Sequence, residues 1–243
     1  MRLHLTSGIV YRLYNSKDTD KVVVIINNNG EKESLLAKGI KKSTSRKSHA
    51  IDLGNHISMN ITKGYAVPII GEVKILNEFV QWKKDYNSLV FLQFVCEVLN
   101  FFIFEENKDP EVFTLVYDLL NVDVTNKAFS VSVFLLKLLQ LSGNISNLDI
   151  SIESERELNS DNAYIIPGRI GYSEKSEIIN LEKISSRIYK TQRFILNEKF
   201  TKLLLINLSQ QEIVKMLKLH LDWIELVTER ELKSKKILYQ ILA

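Results

Sequence analysis

The residues best suited to chemistry in this chain are cations that cluster in one short segment. Residues 38–47 read KGIKKSTSRK, with five lysines or arginines and no acidic residue. Isolated charges are costly to bury, so these side chains must stay in water or face an anionic partner. The phosphate backbone of a nucleic acid is such a partner. We predict nucleic-acid contacts at Lys38, Lys41, Lys42, Arg46 and Lys47.

A second basic cluster, RELKSKK, lies near the C-terminus at residues 230–236. Its lysines are weaker candidates for DNA contact: Lys233, Lys235 and Lys236. Both clusters also have a purely structural interpretation. The first suits any exposed connection, and cations in the second would suit the negative end of a helix dipole.

The sequence carries no pattern typical of a catalytic or metal site. GxxxxGK[ST], GxSxG and HExxH are absent, the single cysteine is Cys96, and the four histidines are far apart. Asp18, Asp20, Glu31 and Glu33 could hold Mg²⁺ only if strands brought them together, and acids beside turns are more simply solvated charges. We predict that the chain is not an enzyme and needs neither metal nor cofactor.

The cations must be positioned by the β-rich first third of the chain. Five runs rich in β-branched or alternating apolar residues are joined by short turns, which predicts a small five-stranded barrel of the OB-fold type. The runs are residues 5–14, 21–27, 33–39, 56–63 and 65–76. The basic segment then connects the third and fourth strands. Pro68 is best placed at the start of the last strand or on an edge.

Beyond Asn77 the apolar period changes from that of strands to that of helices. Helices are predicted at about 88–104, 110–121, 125–142, 181–197 and from Ser209, which begins a capping box with Glu212. A small irregular β insertion is predicted at residues 147–177, with a strand pair around Pro167 and Gly168. The predicted fold class is therefore α+β, with an OB-fold domain at 1–77 and a helical domain at 78–243.

Charge and aromatic content suggest how the barrel would hold DNA. Residues 1–75 contain twelve cations against six acids, although the whole chain carries only +3. Candidates for base stacking are few, namely Tyr11, Tyr14 and Tyr65, and at least one of Tyr11 and Tyr14 should be core because they fall on opposite faces of a strand. A surface that holds phosphates and leaves base edges free favours annealing over sequestration.

In the order and spacing of its motifs over about 240 residues, the chain resembles the RecO family of bacterial recombination mediators. The resemblance rests on GIVYRLY, LLAKGIKKSTSRKSHAID, GEVKILNEF, LLKLLQLSGNISNLD and HLDWIELVTERELKSKKIL. It implies an OB-fold followed by a helical domain, binding of single- and double-stranded DNA, strand annealing, and cooperation with RecR and the acidic, apolar-ended C-terminal tail of SSB to load RecA. It also implies that the lysines and arginines named above contact DNA.

Many members of that family carry a four-cysteine zinc module, but the corresponding residues 147–177 contain no cysteine here. Zinc is therefore not expected, and this region should be held by packing around Tyr164, Ile165, Ile166 and Ile170. The N-terminus lacks a signal-peptide pattern and no apolar run is long enough to span a membrane, which predicts a cytoplasmic, nucleoid-associated protein without membrane contact.

Two other classes remain open from the sequence. A basic OB-fold barrel also suits an RNA-binding protein, which would prefer structured RNA over single-stranded DNA. The other is a scaffold that contacts only proteins, which would be favoured if charge reversal at Lys41, Lys42, Arg46 and Lys47 left DNA binding intact.

Overall fold

The first third of the chain forms a closed β-barrel. The structure, a computed structural model, describes residues 2–63, 66–105, 108–122, 126–145, 147–174 and 181–242. The barrel strands are β1 (Arg2–Asn15), β2 (Lys21–Asn27), β3 (Lys32–Ala37), β4 (His56–Lys63) and β5 (Ile69–Asn77). They follow one another around the barrel as β1-β2-β3-β5-β4, with β4 pairing back to β1. The predicted OB-fold and the α+β class are confirmed.

Alternating apolar residues close the barrel around one core. Val10, Val23, Ile25 and Leu35 and their neighbours on β4 are almost fully buried. β1 is long enough to pair with two strands, with β4 from Arg2 to Ile9 and with β2 from Gly8 onward. A bulge between Val10 and Arg12 interrupts the pairing of β1 with β2. This long strand therefore joins β4 to β2 and closes the ring of five strands, although most of its residues pair with only one of the two.

β5 begins later than the sequence suggested. The strand starts at Ile69 rather than Tyr65, and Gly64 and Tyr65 lie outside the described residues. Pro68 immediately precedes it, as expected, and its carbonyl accepts a hydrogen bond from the Leu36 amide at 2.8 Å. Proline is suited to this place because it needs only to accept there.

Three helices join the barrel in a first compact unit made of residues 1–123 and 233–241. They are α1 (Tyr86–Phe102), α2 (Pro110–Asn121) and α6 (Lys235–Leu242). Asp85 caps α1 through the Ser88 amide at 2.7 Å, and Asp109 caps α2 through the Glu111 amide at 3.1 Å. The boundary suggested at Asn77 marks the change from strands to helices inside this unit.

Residues 124–232 form a second compact unit. It contains α3 (Lys127–Leu141), α4 (Ser186–Asn197) and α5 (Gln210–Thr228), with a small sheet of β6 (Tyr164–Ile165), β7 (Tyr172–Ser173) and β8 (Glu182–Lys183). The capping box of Ser209 and Glu212 is present at the start of α5. No helix in the described parts of the chain is both long and apolar enough to cross a membrane.

The insertion has the predicted strand pair but a different core. β6 and β7 pair in antiparallel across Pro167 and Gly168. Of the four residues expected to hold it, only Ile166 is buried, whereas Tyr164, Ile165 and Ile170 are half-buried. Tyr172 takes their place, since it is fully buried against the rings of Tyr189 and Trp223. The helix predicted from residue 181 begins at Ser186, because β8 occupies its first residues.

A buried chain of polar side chains links the helices of the second unit. The Tyr172 hydroxyl donates to Oε1 of the Gln192 side chain, and Gln192 Nε2 lies 2.8 Å from His220 Nε2. His220 Nδ1 lies 2.8 Å from the Ser132 carbonyl oxygen. Each polar atom is satisfied if Nδ1 carries the histidine proton. Burial lowers the pKa of His220 to about 4, so the ring is neutral at pH 7.

Candidate nucleic-acid interface

The connection from β3 to β4, residues 38–55, is anchored to the barrel at several points. Ile40 and Ile51 belong to the barrel core, and Ala50 is also buried. The buried Asn55 side chain donates to the Ala50 carbonyl oxygen at 2.9 Å. A connection with buried apolar anchors holds its exposed residues on one part of the barrel surface. We call the cation-rich part, residues 38–47, the basic loop.

The basic loop is attached to the turn between β1 and β2. The Gly39 amide donates to Asp20 Oδ1 at 2.8 Å, and the Lys41 amide donates to the Thr19 carbonyl at 3.0 Å. Gly39 adopts a positive φ of 65°, which suits glycine at the bend. The Gly39 hydrogen bond is the largest effect that lowers the pKa of Asp20, and the charge of Lys38 lowers it further. Asp20 therefore remains an anion that fixes the start of the loop.

The five predicted cations of the basic loop do not have equal surroundings. Lys38, Lys41, Lys42 and Arg46 are exposed. Lys47 is half-buried, and its Nζ donates to the Ile70 carbonyl oxygen on β5 at 2.8 Å. Lys47 therefore supports the loop, and the exposed four are the better groups for binding phosphate.

Lys17 also belongs to this surface, although it was not predicted from the sequence. Lys17 is exposed in the β1–β2 turn, and its carbonyl oxygen accepts a hydrogen bond from Lys41 Nζ at 3.2 Å. Its charge also lowers the pKa of Asp20, as does that of Lys38. In an antiparallel meander the turn from the first to the second strand lies beside the end of the third strand. The predicted strand order was therefore enough to place Lys17 beside the basic loop.

The rest of the connection differs in charge from the basic loop. His49 lies 3.2 Å from Glu78, and Lys83 Nζ lies 3.3 Å from Asp52 Oδ2. Lys83 also donates to the Asn55 side chain. The acid Asp52 thus has a cation beside it, and residues 48–55 add no lysine or arginine to those of the basic loop.

The C-terminal lysines are not at the end of a long helix. α5 ends at Thr228, and Lys235 and Lys236 begin the separate helix α6, which was not predicted from the sequence. Cations at a helix N-terminus oppose the helix dipole, so the structural interpretation does not apply to Lys235 and Lys236. Lys233 and Lys236 are exposed, and Lys235 Nζ lies 5.7 Å from the Tyr239 ring centroid.

A carboxylate on α1 compensates for this unfavourable start of α6. Glu97 accepts hydrogen bonds from the amides of Lys233 at 2.8 Å and Ser234 at 2.9 Å, and from the Ser234 hydroxyl. All of these residues belong to the first compact unit. The C-terminal cluster is therefore attached to the unit that contains the barrel.

Aromatic side chains contribute little to this surface. Tyr11 is buried, with no hydrogen-bond partner for its hydroxyl among the described residues, and burial raises the pKa of that hydroxyl. Tyr14 is half-buried, and the Arg12 guanidinium carbon lies 4.3 Å from its ring centroid. The expectation that one of the two tyrosines is core is confirmed. The prediction for Tyr65 concerns a residue outside the described ones.

Within the described residues, no three histidine, cysteine, aspartate or glutamate side chains are grouped closely enough to hold a metal ion. The arrangement can instead bind an extended polyanion by charge. Each exposed ammonium or guanidinium group can contact one phosphate, and hydrogen bonds to the β1–β2 turn and to β5 anchor the loop that carries them.

Comparison with known proteins covers almost the whole chain. Family models match in chain order: Recombination protein O N terminal at residues 1–79 and Recombination protein O C terminal at residues 83–236. DNA repair protein RecO of Symbiobacterium thermophilum is 23% identical over 246 residues, with 98% of this chain and 97% of that protein covered. DNA repair protein RecO of Clostridium perfringens strain 13 is 24% identical, with 98% of both chains covered. Because the matched models span both compact units, this chain belongs to the recombination protein O family.

Proposed function

We propose that this protein is a mediator of DNA repair and recombination that binds single- and double-stranded DNA and anneals complementary strands. The proposal rests on family membership and on one structural observation, the exposed cations of the basic loop held at one end of an OB-fold barrel. The contacting residues would be Lys38, Lys41, Lys42 and Arg46, with Lys17 beside them. Lys47 would position the loop, and Lys233, Lys235 and Lys236 would be a second contact.

The mode of binding follows from the side chains that are exposed. Base stacking on aromatic platforms contributes about 1–3 kcal/mol per base in single-strand binders, and it hides base faces. Lysine and arginine contacts to phosphate leave those bases available for pairing. Since Tyr11 is buried and Tyr14 is covered by Arg12, the surface favours phosphate contacts. Strands held in this way would remain competent to anneal.

We further propose that the protein acts with RecR and with the acidic, apolar-ended tail of SSB, and that together they help RecA to load onto SSB-coated DNA. Such partners would be met at the nucleoid in the cytoplasm. The proposal of these partners rests on membership of the family alone. The proposal of DNA binding rests also on the exposed cations of the basic loop.

The decisive experiment is annealing of complementary strands coated with SSB. The test variant replaces Lys38, Lys41, Lys42 and Arg46 by glutamine. We expect wild type to accelerate annealing and the variant to lose most of that acceleration. Its single-strand affinity should fall on the order of a hundredfold at low salt, and the dependence of log affinity on log salt should become shallower by roughly 3, since each lost phosphate contact contributes about 0.7.

A matched control replaces Lys84, Arg169, Lys190 and Lys199 by glutamine, which removes the same charge from exposed positions elsewhere. The control should keep wild-type annealing and a wild-type salt slope. Equal loss in both variants would contradict the assignment of the basic loop. Unchanged DNA binding in the test variant would favour a protein-only scaffold, and tighter binding to structured RNA than to single-stranded DNA would favour an RNA-binding protein.

A further inference from the structure

The first half of β1 has an open edge. β4 pairs with β1 from Arg2 to Ile9, whereas β2 pairs with β1 only from Gly8 onward. Beyond Asn27 the β2 chain turns into β3, so no β2 residue lies opposite the segment from Leu3 to Ser7. Along this segment β1 has a partner strand on one side and, in the described structure, none on the other.

Alternate residues of this segment present backbone groups to the open side. Val10 donates its amide to the Asn55 carbonyl at 2.9 Å and accepts from the Gly54 amide at 2.7 Å, so its backbone groups face the β4 side. In an antiparallel strand the amide and carbonyl of one residue point to one side, and those of the next residue point to the opposite side. The amides and carbonyls of Leu3, Leu5 and Ser7 therefore face the open edge, where another strand can be added.

The side chains at this edge are unusual for a strand left in water. Leu3 is 69% exposed and Leu5 is 76% exposed, although both are large and apolar. Natural proteins usually protect an open edge with charged side chains, proline or a covering segment. An open edge with two exposed leucines is instead typical of a surface that a partner covers.

A polar cleft of about 420 Å³ lies beside the same edge, at the mouth of the barrel. Its lining includes His4 and Thr6 of β1, Lys63 of β4, Glu31 and Glu33, and Glu31 is already paired with Lys108 Nζ at 3.5 Å. Glu33 accepts hydrogen bonds from the neutral side chains of Asn27 at 2.6 Å and Thr6 at 3.2 Å. Among the described side chains no cation lies within ion-pair distance of Glu33. A basic group would therefore complement Glu33.

We propose that the open edge of β1 binds an extended segment of a partner protein by β-strand addition, with a lysine or arginine of that segment in the cleft beside Glu33. Backbone hydrogen bonds to Leu3 and Leu5 would supply most of the affinity, and apolar residues of the partner would cover the two leucines. The carboxylate of Glu33 would repel a phosphate placed beside it, which argues against DNA at this position. A second copy paired through its own residues 3–7 would bring no lysine or arginine to Glu33, because that segment reads LHLTS.

The test uses a defined probe with the full-length protein. The probe is a fluorescein-labelled peptide in which threonine and valine alternate around one central arginine. We expect saturable binding, together with NMR shifts and slower hydrogen exchange at the amides of Leu3, Leu5 and Ser7. Replacement of the arginine by glutamate should weaken binding at least about tenfold, and N-methylation of the peptide backbone should abolish it.

Variants of the protein separate the two parts of the site. Leu5→Thr replaces the exposed leucine by a β-branched residue that favours strands, and it should weaken the arginine probe severalfold. Glu33→Gln should weaken that probe about tenfold while a norvaline version of the peptide binds both proteins equally. Leu76→Thr removes another exposed leucine, 48% exposed on β5, and should leave binding unchanged. DNA affinity should stay at the wild-type value in all three variants, so the result is independent of the proposed DNA contacts.

Three outcomes would overturn the proposal. The first is that the arginine peptide causes no amide shifts in the β1 segment, or binds no better than its glutamate counterpart. The second is that Leu5→Thr and Leu76→Thr behave alike. The third is that the wild-type protein sediments as a dimer which Leu5→Thr dissociates, because the edge would then be occupied by a second copy.

Discussion

Arg46 and Lys47 are adjacent cations in the basic loop, but their side chains have different surroundings. Arg46 is exposed and has no polar partner among the described residues, whereas Lys47 Nζ donates to the Ile70 carbonyl on β5. A cation already bonded to the backbone must give up that bond to reach a phosphate. At the scale of single residues, we therefore expect adjacent cations to differ in role: Arg46 is available to bind a phosphate, whereas Lys47 holds the loop against β5.

We predict that Arg46→Gln lowers mainly DNA affinity, whereas Lys47→Gln lowers mainly the free energy of unfolding. Arg46→Gln should weaken single-strand binding up to about tenfold at low salt and leave the free energy of unfolding unchanged, since one phosphate contact is lost. Lys47→Gln should lower the free energy of unfolding by about 1 kcal/mol, the typical value of one hydrogen bond, with a smaller effect on DNA. Fluorescence anisotropy and urea unfolding measure the two quantities. Equal DNA effects without a loss of stability in Lys47→Gln would contradict this division.

At the scale of elements, the turn between β2 and β3 is built to touch the start of α2. Gly30 has a φ of 78°, and a Cβ placed there would lie 1.9 Å from the Asp109 carbonyl oxygen. Asn27 supports the same turn by accepting the amides of Asn29 and Glu31 with its side-chain oxygen. The glycine is needed for the close approach of two backbones as well as for its positive φ.

Gly30→Ala should lower the free energy of unfolding by about 3 kcal/mol or more, because the added methyl overlaps a backbone that cannot move alone. Gly168→Ala is the matched control, since Gly168 has a φ of 72° but no atom within 4 Å of the position that a Cβ would take. The control should lose only about 1 kcal/mol, the cost of a left-handed alanine. Urea unfolding measures both, and similar losses would show that the contact with α2 is unimportant.

The start of α6 depends on a carboxylate from another helix. Glu97 binds two amides and one hydroxyl there, beside the cations Lys235 and Lys236 that disfavour a helix N-terminus. Glu97→Ala should therefore destabilise α6 locally by about 1–2 kcal/mol, as loss of a helix cap does.

Amide hydrogen exchange along α6 measures this effect, and exchange should speed up by about tenfold in Glu97→Ala. Glu231→Ala removes an exposed carboxylate near the same cluster and should leave exchange in α6 unchanged. If both variants exchange like wild type, Glu97 does not hold the C-terminal cluster in place.

At the scale of the whole molecule, acid should destabilise the fold through His220. The ring is buried and neutral, with its pKa lowered to about 4 from an ordinary value of 6.5. The unfolded chain therefore binds this proton at higher pH than the native one, so stability falls as pH drops from 6.5 to 4 and does not fall further from this group below 4. The total loss should be roughly 3 kcal/mol.

The comparison that isolates this effect is wild type against His220→Gln, whose side chain cannot titrate. The variant should be less stable at pH 7, because the Gln192 and Ser132 contacts are disturbed, but its stability should change less between pH 6.5 and pH 4. Carboxylates titrate in both proteins and cancel in the difference. Parallel pH profiles would show that His220 is not the acid-sensitive group.

Much of the fold was predictable because it depends on local periodicity. Alternating apolar residues specify the barrel strands, and Asp109 and Ser209 mark helix starts by capping chemistry that acts within one turn. Family resemblance could likewise be found from the order of motifs. The small sheet was harder, because its core residue Tyr172 is buried by Tyr189 and Trp223, which are distant in sequence.

The sequence by itself determined that a cluster of cations lies between the third and fourth strands and that one end of the barrel must carry it, since charge and strand period are local properties. Only the tertiary structure decided which of those cations remain exposed, that Lys17 joins them, and that the C-terminal lysines begin a helix held by Glu97. Those outcomes depend on hydrogen bonds between residues far apart in the chain. Such contacts form when the barrel closes and leave no local pattern in the sequence.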